Sequence, residues 1–74
     1  MGDEALQQKL GGAIRARRAQ LGLSQEQFAD QIGMHRAYYS KVERGEQNLT
    51  LATLGRVLDG LGARFSQLFK EAGL

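Results

Sequence analysis

The chain has no cysteine, no proline and only one histidine. Without cysteine there is no disulfide framework and no thiolate metal site. Without proline nothing interrupts an all-helical reading of its 74 residues. The lone His35 leaves no Ser–His–acid set, and no paired carboxylates mark a site. Gly11-Gly12 is not a phosphate-cradling loop, because no strand precedes it. Enzyme activity, a metal and a cofactor therefore find no support. No run of about 18 apolar residues occurs, and MGDEALQQKL is not a signal peptide. The expected protein is soluble and cytoplasmic, a single domain over residues 1–74, with residues 1–5 open to disorder.

Net charge is only +2, but it is unevenly placed. Residues 1–8 carry Asp3 and Glu4. Residues 9–45 carry seven cations (Lys9, Arg15, Arg17, Arg18, Arg36, Lys41, Arg44) against three acids (Glu26, Asp30, Glu43). Residues 46–74 balance to zero. The excess sits on the first three helical patterns, a modest footprint for a polyanion.

The most informative stretch is LSQEQFADQIGMHRAYYSKVERG, Leu23 to Gly45. Ser24 is a good N-cap, and Gln27 three residues on completes a capping box. Phe28, Ala29 and Ile32 form one apolar stripe, and Gly33 stops the helix. A second helix, about His35 to Arg44, ends at Gly45. Helix, glycine turn and helix make a helix-turn-helix. On the second helix Tyr39 and Val42 point one way. Arg36, Ala37, Ser40, Lys41 and Arg44 fall on the opposite edge, with three cations, no acid and two small side chains. Arginine pairs bidentately with guanine, and Ala or Ser abuts a thymine methyl or accepts a hydrogen bond. The plain alternative is a solvated helix face. The glycine turn and the small residues between the cations favour a groove reader.

These residues resemble the lambda repressor/Cro-type (XRE) helix-turn-helix family through LSQEQFA, then Ile32-Gly33, then Tyr39-x-x-Val42-Glu43-Arg44-Gly45. Met34 to Tyr39 and Val42 to Leu51 also resemble the controller proteins of restriction–modification operons. The match is specific from Leu10 to about Leu61. The resemblance implies a compact all-α bundle of five helices that binds double-stranded DNA. It implies Arg36, Ala37, Ser40 and Lys41 as base contacts. Gln25, His35, Tyr38, Arg44, Asn48 and Arg17 are the expected phosphate contacts, although His35 also suits a plain turn position.

The first helix is expected from near Asp3 or Glu4 to Leu21, closed by Gly22. Asp3 would cap it, and Gly11-Gly12 would weaken it before Leu10. Leu10, Ile14 and Leu21 form its stripe. Arg18 falls on that stripe, where a half-buried guanidinium needs a carboxylate, and Glu43 beside inward Val42 is the best candidate. The alternative is that Arg18 snorkels to water. Thr50 caps a fourth helix, with Leu49 and Leu54 as a hydrophobic staple and Leu51, Leu54, Val57, Leu58 and Leu61 inward. Gly55 permits close packing or simply weakens this helix, and Gly62 ends it. A fifth helix covers about Arg64 to Ala72.

Phe65, Leu68, Phe69 and Leu74 exceed what one small face hides comfortably, which suggests self-association. Completing the monomer core is the alternative. The resemblance implies a two-fold dimer through the last helices (about residues 62–74), with Leu58, Leu61, Phe65, Leu68 and Phe69 at the interface. Three functions remain: a homodimeric regulator on a near-palindromic operator, an antitoxin that also binds a toxin, and a protein-interaction module. The antitoxins resembled tend to continue as a strand, whereas Phe65 to Lys70 continues at helical spacing. The uninterrupted cationic edge argues against the third.

Overall fold

A computed structural model describes residues 2–74, with side chains from residue 4 onward. Five helices follow one another: α1 Gly2–Gln20, α2 Gln25–Gln31, α3 Arg36–Arg44, α4 Leu51–Leu61 and α5 Phe65–Glu71. Among the described residues there is no strand, and no helix is long and apolar enough to cross a membrane. α1 already includes residues 2–5. The expected cap at Asp3 lies outside the described side chains.

Local chemistry sets the helix ends. The Ser24 hydroxyl accepts from the Gln27 amide at 3.1 Å, and the Gln27 side chain accepts from the Ser24 amide at 2.9 Å. Two orphan donors are thereby satisfied. Thr50 accepts from the Thr53 amide in the same way. α5 lacks a Ser or Thr cap. Instead the Gln67 side chain accepts from the Arg64 amide at 2.9 Å, half of a capping box. Gly45 ends α3 in the left-handed conformation, φ +73°.

One core joins the helices. Ile14, Phe28, Tyr39, Val42, Val57 and Leu68 are its largest fully buried side chains. The Phe28 and Tyr39 rings meet with centroids 5.2 Å apart, so α2 and α3 share an aromatic contact. α1 packs mainly on α3, with α5 and α4 against its other sides. The expected weakness at Gly11-Gly12 has a structural use. A Cβ at Gly11 would stand 2.6 Å from the Val42 carbonyl oxygen, so only glycine lets α1 lie on the end of α3. A Cβ at Gly55 would meet nothing nearer than the Phe65 ring, at 3.9 Å, so close packing is not its role.

Two expected core positions are corrected. Leu21 is half exposed, because α1 ends at Gln20 and the chain turns outward there. Leu51 is 75% exposed: it opens α4 on the solvent side, while Leu54, three residues on, faces the core.

Candidate nucleic-acid interface

α3 presents two chemically distinct faces. Tyr39, Val42 and Glu43 point inward and are buried. Arg36, Ala37, Lys41 and Arg44 are exposed, and Ser40 is half-buried between them. The edge read from sequence is therefore a real surface with three cations. At its N-terminal end His35 occupies the cap position, exposed and making no capping bond. The first amides of α3 thus lack a side-chain acceptor from the cap residue, at the positive end of the helix dipole.

The buried face is fastened by charge. Arg18 donates from Nε to Glu43 Oε2 at 2.6 Å and from Nη2 to Oε1 at 3.1 Å, while Nη1 donates to the Leu23 carbonyl at 2.7 Å. The side chains are only 12% and 2% exposed. Gln25 Nε2 adds a third donor to Glu43, at 2.8 Å. One carboxylate therefore gathers α1, α2 and α3. Burial alone would raise the pKa of Glu43, but the donors from Arg18 and Gln25, with the Tyr39 hydroxyl nearby, outweigh it and hold it below the usual carboxylate value. The Tyr39 hydroxyl is pushed up, first by burial and then by the Glu43 carboxylate.

The expected phosphate contacts divide. His35 and Arg44 border the α3 edge. Tyr38 is half-buried against the core. Gln25 lies at the start of α2, one amide hydrogen committed to Glu43. Arg44 donates from Nη1 to Ser40 Oγ at 2.7 Å and pairs through Nη2 with Glu46 at 3.1 Å. Both partners of that ion pair are about half exposed, so these bonds compete only weakly with an incoming anion. Asn48 accepts from Gln7 at 2.7 Å, tying the α3–α4 loop to α1. Arg17 is engaged elsewhere. Its Nε and Nη2 grip Glu71 at 2.7 and 2.6 Å, so its guanidinium fastens α1 to the end of α5.

The expected dimer residues divide too. Leu58, Leu61 and Leu68 are 2%, 7% and 0% exposed, spent on the chain's own core, and offer almost no surface to a second copy. Phe65 and Phe69 remain exposed and meet edge to face, 6.2 Å between centroids. Two devices around α3 are absent from the sequence-level reading. One is the Gly11 seat. The other is Arg56 of α4, which donates to the carbonyls of Ile32 and Gly33 at 3.0 and 2.9 Å. The lone cation of α4 was the available signal.

The helix-turn-helix family model (HTH_3) matches residues 14–68. The control protein C.MunI of Mycoplasma is 42% identical over 57 residues, covering 77% of each chain. Among solved structures, the clp gene regulator ClgR of Corynebacterium glutamicum superposes with a TM-score of 0.88 at 31% identity, covering 92% of this chain and 87% of that one. The restriction–modification controller protein C.Esp1396I, solved as a tetramer with its natural 35 base-pair operator, gives 0.81 at 32% identity, covering 93% and 96%. With the cationic edge of α3 in place, the chain belongs to the helix-turn-helix family of DNA-binding transcription regulators and is not an enzyme.

Proposed function

We propose that this regulator acts as a homodimer on a near-palindromic operator, each copy placing α3 in the major groove. The exposed edge of Arg36, Ala37 and Lys41, on a helix locked from behind by Glu43, is the observation that carries this reading. Arg36 reads a guanine from the first turn, with Ala37, Ser40 and Lys41 as supporting base contacts. His35, Tyr38, Arg44, Asn48 and the remaining amide hydrogen of Gln25 face phosphate, beside the N-terminal amides of α2 and α3. Arg17, held by Glu71, is left out of that set.

The dimer patch is Phe65 and Phe69, extended by exposed Leu51 and Leu74. Leu51 and Phe69 also border a groove with Leu6, Leu10, Leu49 and Leu54. One helix this short makes few base contacts, so a monomer discriminates poorly among genomic sites, and two linked copies add their half-sites. The recognition helices then stand about 34 Å apart, one turn of B-DNA. That a similar controller protein occupies its operator as a tetramer supports assembly of this kind. An antitoxin role finds less support, because α5 is a helix where that reading expects a strand.

The test is selection of a bound duplex from a randomised library, followed by salt titration and sedimentation. Arg36→Ala should weaken the selected duplex by roughly 1–3 kcal/mol and relax one position. Phe69→Glu should give folded monomer with much weaker binding. Equal loss on selected and random duplex for Arg36→Ala makes Arg36 a phosphate contact. Stable monomer for the unaltered chain at tens of micromolar removes the dimer.

A further inference from the structure

We infer that Arg56 is a positioning residue for base recognition: from α4 it clamps the turn that aims α3, without itself reaching DNA. The inference rests on the reading of α3 as the groove reader. Three observations converge on the turn Ile32–Gly33. First, Arg56 donates from Nε to the Ile32 carbonyl and from Nη2 to the Gly33 carbonyl, at 3.0 and 2.9 Å. One belongs to the C-cap of α2 and the other to the residue just past it, beside the negative end of the α2 dipole, so a guanidinium satisfies and complements them. Second, Gly60 lies four residues on, over the same face of α4. A Cβ at Gly60 would collide with the Ile32 side chain and press on the Phe28 ring at 3.0 Å. The backbone of α4 is therefore seated directly on the last turn of α2. Third, Gly33 turns the chain at φ +66°, and a Cβ there would stand 3.3 Å from Arg56 Nη2. The fork of Arg56 fits the turn that glycine makes.

The consequence is directional. Glu43 holds the C-terminal half of α3 through Arg18 and Gln25. Arg36 and Ala37, however, sit in its first turn, only three and four residues after Gly33. Their aim depends on the path of the chain through the turn. The Arg56 fork fixes two successive peptide carbonyls at that place, and a rigid element anchored in the core supplies it. Bidentate pairing with a base tolerates little misplacement, so loosening the turn should cost discrimination before it costs general affinity.

The experiment compares Arg56→Met with the unaltered chain on two duplexes, the one selected from a randomised library and a scrambled version. Methionine keeps the apolar stem and removes the fork. The selected duplex should bind roughly tenfold more weakly, within the range that one misaligned bidentate contact commands. Scrambled duplex should be bound nearly as before, with an unchanged salt slope. Equal loss on both duplexes, with the slope lowered by about 0.9, makes Arg56 a phosphate contact and overturns the inference. Unchanged binding on both overturns it as well. Should Arg56→Met fail to fold by circular dichroism, Arg56→Lys carries the test. Lysine keeps the charge but not the fork, so persistent loss of discrimination supports the clamp, and full recovery overturns it. Arg36→Ala run in parallel separates the two claims. If that variant keeps its discrimination, the reading of α3 is at fault. If it loses discrimination while Arg56→Met does not, only the clamp is.

Discussion

Arg17 and Arg18 are neighbours on α1, and each grips a glutamate with two nitrogens, at 2.6 Å in the shorter bond. In their shorter bonds the two ion pairs are alike. One residue of rotation, about 100° on a helix, sends Arg18 to Glu43 of α3 and Arg17 to Glu71 at the end of α5. The surroundings then diverge. Glu43 is 2% exposed and also takes the Gln25 amide, while Arg18 also holds the Leu23 carbonyl. Glu71 is 44% exposed, and Arg17 22%. In the first pair the carboxylate has left water and the guanidinium has mostly done so, so each depends on the other. In the second, water and salt stand ready to replace either partner. Length of contact does not separate a residue that holds α3 from one that trims a helix end; burial does.

The largest expected effect comes from stranding Arg18. Glu43→Gln removes the charge that Arg18 faces, and with it the junction of α1, α2 and α3. The expected loss is roughly 3 kcal/mol, the lower end for a buried pair because Arg18 keeps some access to water. That is severe for a domain this size, with total stability of about 4–11 kcal/mol. The melting temperature should fall by some 12–24 °C, read by thermal denaturation. The double variant Arg18→Met, Glu43→Leu should be milder than Glu43→Gln, because no charge is left unpaired. A double variant as damaged as the single one would mean that packing, not charge, is at stake.

Acid should act on the same pair, more gradually. Glu43 titrates below its ordinary value in the folded chain, so on acidification the unfolded chain takes up the proton first. The stability it contributes is complete above the ordinary value of 4.5 and drains as pH falls through the lower folded value. Glu71 is shifted in the same direction by its bond to Arg17, but at the surface. Urea unfolding between pH 6 and pH 3 should show a slope that Glu43→Gln flattens markedly. Glu71→Gln should flatten it less, and only at low salt. Equal flattening by the two variants would erase the distinction between them.

The sequence carried much of this arrangement, and the parts it hid share a cause. Five helices, the Ser24 and Thr50 caps and the need of Arg18 for an acid follow from local pattern: a cap three residues before its partner, or a cation on an apolar stripe. Glu43, 25 positions away, was named as that acid for its place beside inward Val42. The α3 edge was visible for the same reason, since spacing on one helix places its side chains. What depends on how helices lie against each other was not visible. Gly11 reads as a weak point until α3 is seen against it. Leu68 reads as surplus until the short helices are packed and a single core uses it. Glu71 lies 54 positions from Arg17, and no periodicity links the two. Leu21 and Leu51 erred at helix ends, where a shift of one residue turns a side chain from core to solvent.

The smallest expected effect tests the comparison from its other side. Arg17→Ala removes one partner of an exposed pair, and Glu71 simply returns to water. The melting temperature should move little, and the small change should shrink further in salt, because the charges lie within reach of solvent ions. Binding to the selected duplex should keep its strength, and the salt slope should stay unchanged. If Arg17 instead leaves Glu71 for a phosphate when DNA arrives, removing it would lower the slope by about 0.9 and weaken all duplexes alike. The decisive companion is Glu71→Gln. Freeing Arg17 from its acid should leave DNA binding unaltered if the arginine serves only α5. Tighter binding by Glu71→Gln on both selected and scrambled duplex would show that the ion pair withholds a cation from DNA, and Arg17 would rejoin the phosphate contacts.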